Sequence, residues 1–183
     1  MKFNVWLLLA ILATPLLSFN LQAAVDMFLK IEDIKGESQH PGHEDEIDIL
    51  AWSWGTSHTS KQKMNRPTRY AKTATNMDMT FTKNMDSSSS ELFKACNNGK
   101  HFKDVTITVV NPDRTFEPYI HIHFFDVTCI SYRVSGSGGD AVPTEEVSFN
   151  YSKIQFEYKE QKDDGSQGGN VELGYDLSKN KKA

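Results

Sequence analysis

The chain has 183 residues, a length typical of one domain, and 38% of them are apolar, which is enough for a single hydrophobic core. Its formal net charge of −4 argues against a dedicated nucleic-acid-binding protein, because phosphate recognition needs a concentrated basic surface. The apolar content is also low for a protein that crosses a membrane repeatedly.

The first residues differ from the rest of the chain. Lys2 gives a positive start, residues 5–12 are uninterruptedly apolar, and the small residues Ala23 and Ala24 follow. This layout is typical of a Sec signal peptide, and the run is too short for a comfortable membrane span. A buried N-terminal helix is the alternative, although the run lacks a polar face. We predict a signal peptide over residues 1–23, a folded domain over 24–183 and no stable membrane insertion.

An acidic start gives way to an apolar run over residues 44–55, which predicts a central, half-buried strand. Side chains alternate between the two faces of a strand. A change of phase near Leu50, as a bulge would produce, brings Leu50, Trp52 and Trp54 to the buried face. Ser53 then points away from both indoles.

The next stretch, residues 58–72, is long, polar and basic. Its five cations, with no acid between them, are Lys61, Lys63, Arg66, Arg69 and Lys72. Loops of this length are usually functional or disordered. The stretch is either a solvated connection or a protruding arm that docks on another subunit.

One helix is predicted, over residues 88–98. Ser88 and Glu91 have the spacing of a capping box, and Gly99 suits the left-handed position that ends a helix. The other segments alternate between apolar and polar side chains as strands do. The expected fold is therefore mainly β: a compact β-barrel of two packed antiparallel sheets with one short flanking α-helix.

The two cysteines, Cys96 and Cys129, form a disulfide in one interpretation, which requires an oxidising compartment. In the other interpretation they are two buried free thiols. The sequence does not show whether their Cα atoms lie within bridging distance.

Two groups of side chains are candidates for chemistry. His121 and His123 share one face of a strand and form a weak candidate pair of metal ligands, but no third ligand has a diagnostic spacing. The acids Glu44, Asp45 and Glu46 resemble a general acid–base pair only superficially, because clustered exposed carboxylates stay ionised. With no nucleophile elbow or phosphate loop either, we predict no enzyme activity and no cofactor.

Eight short stretches together carry a family resemblance. In chain order they are Ala-Val-Asp-Met-Phe-Leu-Lys-Ile (24–31), Lys-Gly-Glu-Ser (35–38), Glu-Ile-Asp-Ile-Leu-Ala-Trp-Ser-Trp-Gly (46–55), Phe-Thr-Lys (81–83), Ala-Cys-Asn-Asn-Gly-Lys-His (95–101), Val-Ser-Phe-Asn-Tyr-Ser-Lys-Ile (147–154), Gln-Lys-Asp-Asp-Gly (161–165) and Gly-Tyr (174–175). In this order and spacing they resemble the haemolysin-coregulated protein family, over essentially all of residues 24–180.

The resemblance implies a homohexameric ring that stacks with others into the inner tube of the bacterial type VI secretion apparatus. Such a tube is secreted, carries and shields effectors in its lumen, and meets spike and sheath components. The match places Ser53 in the lumen and makes residues 58–72 an arm that contacts neighbouring subunits and rings. No catalysis and no nucleic acid are implied.

Two features depart from the family. Its arm is often glycine-rich, whereas here it is basic, so we hypothesise that it meets the acidic patch of another subunit, which spans Glu44–Asp48 and contains Glu44, Asp45, Glu46 and Asp48. The signal peptide is the second departure, because tube subunits are loaded from the cytoplasm. Either translation starts near Val25, or the protein is exported to the periplasm as an effector or binding protein that is not part of a tube.

Overall fold

The computed structural model describes residues 25–58, 74–112, 118–162 and 166–183. These residues form ten strands and one helix. The strands are β1 (Asp26–Ile31), β2 (Ile47–Asp48), β3 (Ala51–His58), β4 (Ala74–Asn84), β5 (His101–Val110), β6 (Pro118–Ser135), β7 (Thr144–Asn150), β8 (Lys153–Gln161), β9 (Gln167–Asp176) and β10 (Lys181–Lys182). The helix, α1, spans Ser89–Asn98 and lies between β4 and β5 in the chain. The predicted mainly β fold with one helix is confirmed.

The strands form one branched antiparallel sheet. Its main path has the order β10-β9-β8-β6-β5-β1-β2, and a second path joins β3, β4 and β7 to the same β6. Strand β6 has 18 residues, so it can pair with β5, β7 and β8 along its length. The two packed sheets expected from the sequence are thus two arms that share this long strand.

The arms meet where the chain passes from β2 to β3. The amide of Ile49 donates to the carbonyl of Met27 on β1 (3.0 Å), and the amide of Leu50 donates to that of Thr82 on β4 (2.7 Å). Within the described residues no continuous ladder joins β3 to β1, so the barrel is not closed by strand pairing.

The hydrophobic core lies between the two arms. Strand alternation turns one set of side chains inward, and the fully buried ones include Leu29, Ile107, Ile122, Phe81 and Phe149. Helix α1 adds Leu92, which is also fully buried. Burial of these apolar side chains is the main stabilising contribution to the fold.

The predicted change of phase in the tryptophan strand is correct for its two indoles, because Trp52 and Trp54 pack half-buried against the core. It is wrong for Leu50, which is 51% exposed, whereas Ile49 before it is buried. Ser53 is exposed, as predicted. The register irregularity itself lies between Ser53 and Gly55, and the inward phase changes earlier because the chain exchanges β1 for β4 as its partner.

The helix prediction is correct in its bounds, with Ser88 as the N-cap residue, but the predicted capping box is not formed. Gly99 has φ 62°, and the amide of Lys100 donates to the carbonyl of Ala95. Ser88 makes no side-chain cap, because its hydroxyl donates to Asp86 instead. Glu91 pairs with Lys94 at 2.6 Å.

The predicted signal peptide, residues 1–23, lies outside the described residues. In the part of the chain that the structure describes, no helix is long and apolar enough to cross a membrane.

Candidate functional site: a hydroxyl-lined face and its neighbouring surfaces

A row of small hydroxyl side chains crosses the outer face of the arm formed by β3, β4, β7 and β6. Pairing between strands places Ser53 opposite Thr80, Thr80 opposite Ser148, and Ser148 opposite Ser131. The hydroxyl oxygens of Thr80 and Ser148 lie 3.0 Å apart and share a hydrogen bond. We call these four residues the hydroxyl row.

The row faces away from the core because its neighbours along each strand face inward. On β4, Met79 and Phe81 are fully buried on either side of Thr80, and on β7, Val147 and Phe149 flank Ser148 in the same way. The sheet is therefore apolar on one side and hydroxyl-lined on the other.

The charged side chains beside the row are partnered within the subunit. Asn150 donates to Asp78 at 2.9 Å, and Arg133 donates to Glu146 at 3.4 Å. The wall therefore consists of short hydroxyl groups beside one ion pair, Arg133 with Glu146, and one carboxylate, Asp78, that is held by a neutral amide. Such a wall offers hydrogen bonds to a polypeptide and no strong electrostatic attraction.

The acidic patch is largely engaged within the subunit. Glu46 contacts His43 at 2.8 Å and Lys30 at 3.6 Å, and Asp45 contacts Lys35 at 2.6 Å. The Asp45 carboxylate raises the pKa of Lys35 through this hydrogen bond. Glu46 is therefore a poorer partner for another subunit than the prediction assumed.

Glu44 is an exposed acid of the patch. Its carboxylate accepts a hydrogen bond from the amide of Gly42 at 3.0 Å. Hydrogen bonds from its own amide and that of Gly42 hold the pKa of Glu44 below its usual value. The predicted cationic partners, Lys61, Lys63, Arg66, Arg69 and Lys72, lie outside the described residues.

Each of the two strand histidines forms a hydrogen bond with a threonine of β5. His123 Nδ1 lies 3.0 Å from the hydroxyl of Thr106, and His121 Nδ1 lies 3.4 Å from that of Thr108. Burial lowers the pKa of His121, and the nearby Glu157 carboxylate opposes this shift. Among the described residues, no three His, Cys, Asp or Glu side chains are arranged to hold a metal ion.

Cys96 on α1 lies beside Cys129 on β6, and both are free thiols in this structure. Cys129 is buried, and Cys96 is half-buried. Burial and a hydrogen bond with Cys96 raise the pKa of Cys129 to about 12. The disulfide stays a prediction.

Sequence reasoning missed a buried polar network at the base of α1. The Lys83 ammonium and the Glu145 carboxylate are both fully buried and lie 3.1 Å apart. Lys83 also contacts Asp86 at 2.7 Å, and the Tyr132 hydroxyl donates to Glu145 at 2.6 Å. Strand alternation places Lys83 on the inward face of β4 with Met79 and Phe81. This pattern in the sequence could have predicted that Lys83 is buried.

The hydroxyl row was missed as a unit, although Ser53 was found. Its members come from four strands separated by up to 95 positions in the chain, so only the pairing registers bring them together. The sequence shows that each of these residues alternates with apolar neighbours, but it does not show which strands pair with one another.

Comparison with known proteins places the chain among type VI secretion proteins. The family model described as "Type VI secretion system effector, Hcp" matches residues 28–158. The protein hcp1 of Pseudomonas aeruginosa is 39% identical over 163 residues, covering 87% of this chain and 99% of that protein. The chain therefore belongs to the Hcp family.

Solved structures agree with this assignment. One, described as a type six secretion system protein, has a TM-score of 0.81 at 27% identity and covers 87% of this chain and 100% of its own. Hcp1 from Salmonella typhimurium has a TM-score of 0.71 at 28% identity, covering 88% of this chain and 100% of its own. A type VI secretion system effector from Yersinia pestis is 32% identical with a TM-score of 0.65, covering 82% and 99%.

Proposed function

We propose that the folded domain is a ring-forming subunit of the type VI inner tube, in which six copies turn their hydroxyl rows toward a shared lumen. Stacked rings would meet spike and sheath components and leave the cell with their cargo. The single observation that supports this orientation is the separation of the sheet into an apolar side and a hydroxyl side. The role requires no catalysis.

The proposed cargo site is the hydroxyl row itself. Small hydroxyl groups can donate to or accept from the backbone and polar side chains of an effector, and they leave the lumen wide. Ser53 is the exposed member of the row, so we assign it the effector contact.

Two measurements test this function. Electron microscopy and native mass spectrometry of the purified protein should show six-membered rings. Ser53→Lys and Thr80→Lys should leave the rings intact and abolish co-purification of secreted effectors. Ser137→Lys, on the exposed loop after β6, is the matched control and should retain the cargo. A protein that stays monomeric at high concentration contradicts the proposal.

The second candidate, an exported effector or binding protein outside the tube, rests on the apolar stretch at residues 5–12. Mass spectrometry of the native N-terminus distinguishes the possibilities. A start near Ala24 with a periplasmic location indicates export, whereas a cytoplasmic start at Val25 indicates the tube. An intact Met1 contradicts both.

Export would also bear on the cysteines. In an oxidising compartment the adjacent thiols of Cys96 and Cys129 would pair, which tethers α1 to β6. The intact mass would then be lower by two hydrogen atoms, and both thiols would resist alkylation in denaturant until reduced.

A further inference from the structure

Two imidazoles lie side by side on the outer face of the arm formed by β1, β5, β6 and β8. His121 and His123 alternate on β6 with Ile122 and Phe124, which are both fully buried. The two histidines therefore point away from the core, and both are half-buried. Their rings are inclined by 20°, with centroids 6.3 Å apart. We call these two residues the histidine pair.

Each imidazole is oriented by the threonine directly opposite it on β5. Strand pairing places Thr106 opposite His123 and Thr108 opposite His121. The threonine hydroxyl oxygens lie 3.0 Å and 3.4 Å from the respective Nδ1 atoms. In the tautomer whose Nδ1–H donates to the threonine, Nε2 carries the free lone pair. Histidines that ligate metal ions in proteins are held in this way, with one ring nitrogen bound to a protein oxygen and the other facing the ion.

The spacing of the histidine pair suits one shared ion after a small side-chain movement. Zinc binds imidazole nitrogens at about 2.0–2.1 Å in tetrahedral geometry, which places the centroids of two ligating rings roughly 5 Å apart. The observed separation is 6.3 Å. Because residues two apart on a strand share a face, rotation about side-chain bonds closes this gap without a change in the backbone.

The charges beside the histidine pair favour a cation. Glu157 on β8 lies opposite His121, and Glu172 on β9 lies opposite Glu157. Asn170 donates to both carboxylates, at 3.3 Å and 2.8 Å, and so holds them close together. Lys159 lies 3.7 Å from Glu157 and compensates only part of this negative charge. A positive ion at the histidine pair would gain from the remainder.

We propose that His121 and His123 together bind one divalent transition-metal ion through their Nε2 atoms. Among the described residues no three His, Cys, Asp or Glu side chains surround a common point, so water molecules complete the coordination shell and Glu157 contributes charge. Imidazole donors suit Zn²⁺, Ni²⁺ and Cu²⁺, whereas Mg²⁺ and Ca²⁺ require oxygen donors. The site lies outside the hydroxyl row and does not depend on ring formation.

Zinc titration of the full chain tests the site. The protein is first treated with a chelator and then titrated by calorimetry at about pH 8, where free imidazole is neutral. One Zn²⁺ should bind per chain at the histidine pair. His121→Gln and His123→Gln should each weaken this binding by at least about tenfold, because a single nitrogen donor cannot chelate the ion.

His101→Gln is the matched control. The His101 side chain is 58% exposed and lies 3.9 Å from a carboxylate, that of Asp126, but it has no second histidine beside it on β5. Its replacement should leave zinc binding unchanged. Thr106→Val, which removes the hydroxyl that orients His123, should weaken binding by about tenfold while both ligands remain.

The identity of the ion and of its ligands has separate measurements. Cu²⁺ should bind more tightly than Zn²⁺, and Mg²⁺ should not compete with either. Electron paramagnetic resonance of the Cu²⁺-loaded protein should show two nitrogen ligands in the wild type and one in either histidine variant.

The proposal is wrong if zinc binds equally well to the wild type and both histidine variants, or if His101→Gln weakens binding as much as they do. Failure of the wild type to bind Zn²⁺ or Cu²⁺ would also overturn it, whether or not rings form. Circular dichroism verifies that each variant is folded, and His121→Asn or His123→Asn replaces a glutamine variant that is not.

Discussion

The ammonium group of Lys83 is fully buried in an otherwise largely apolar core, where it contacts the carboxylates of Glu145 and Asp86. Lys83→Met should lower the free energy of unfolding by about 3–5 kcal/mol, because it leaves a buried carboxylate without its counterion. The double variant Lys83→Met with Glu145→Gln should lose less unfolding free energy. The glutamine amide carries no charge, and its oxygen still accepts a hydrogen bond from the Tyr132 hydroxyl. Urea unfolding measures both variants.

The control for this prediction is an ion pair at the surface. Lys94 and Glu91 lie 2.6 Å apart with side chains 63% and 50% exposed. Lys94→Met should therefore change stability by less than about 1 kcal/mol. Equal losses for Lys83→Met and Lys94→Met would show that the buried network contributes nothing beyond an exposed pair.

His121 should make stability depend on pH. Burial depresses its pKa in the folded state, so the unfolded chain binds the proton more readily. Stability should therefore be complete above the unfolded value of about 6.5 and fall as the pH is lowered through the folded pKa. His121→Gln should flatten this loss below about pH 6.5.

The comparison for His121→Gln is His101→Gln. The His101 side chain is 58% exposed beside Asp126 and lacks the burial of His121, so this variant controls for the loss of an imidazole as such. Thermal unfolding at several pH values measures all three proteins. A His121→Gln curve parallel to that of the wild type would refute the assignment.

At the scale of elements, the turn before β2 depends on a close approach of two backbone segments. A Cβ at Gly36 would overlap the carbonyl oxygen of Glu46, and the amide of Gly36 donates to the carbonyl of Asp45 at 2.8 Å. Gly36→Ala should lower the free energy of unfolding by about 1–3 kcal/mol, the usual cost of overpacking. Differential scanning calorimetry provides the measurement.

Gly138→Ala is the matched substitution for Gly36→Ala. Nothing lies within 4 Å of a Cβ at Gly138, so its replacement should be neutral or slightly stabilising. If the two alanine variants have the same melting temperature, the close approach at Gly36 does not constrain the fold.

The start of α1 shows where local sequence reasoning stops. Ser88 and Glu91 have the spacing of a capping box, but Lys83, from the preceding strand, fixes Asp86 as the acceptor for Ser88. A tertiary contact therefore outcompetes the local pattern. The end of the helix was predictable, because the left-handed conformation at Gly99 depends on that residue alone.

The strands were predictable from alternation, but their partners were not. Alternation reports which side chains share a face, and this held for Trp52, Trp54 and Ser53. The triple pairing of β6 depends on contacts between distant segments, for which alternation carries no information. The hydroxyl row follows from that pairing.

At the scale of the whole molecule, the structure revises the electrostatic hypothesis for assembly. Glu46 is paired within the subunit, so Glu44 is the better partner for the cations of residues 58–72. Exposed charge pairs set encounter rate and register and are screened by salt. Assembly of the wild type should therefore slow as salt is added.

Charge exchange tests this directly. Lys61→Glu with Lys63→Glu should slow assembly at low salt by roughly tenfold, because the contact with Glu44 becomes repulsive. Adding Glu44→Lys to that variant should restore much of the rate, since every junction then pairs opposite charges again. Light scattering measures the rates, and Lys94→Glu on α1 controls for net charge. If reversal leaves the rate and its salt dependence unchanged, the basic stretch does not meet the acidic patch.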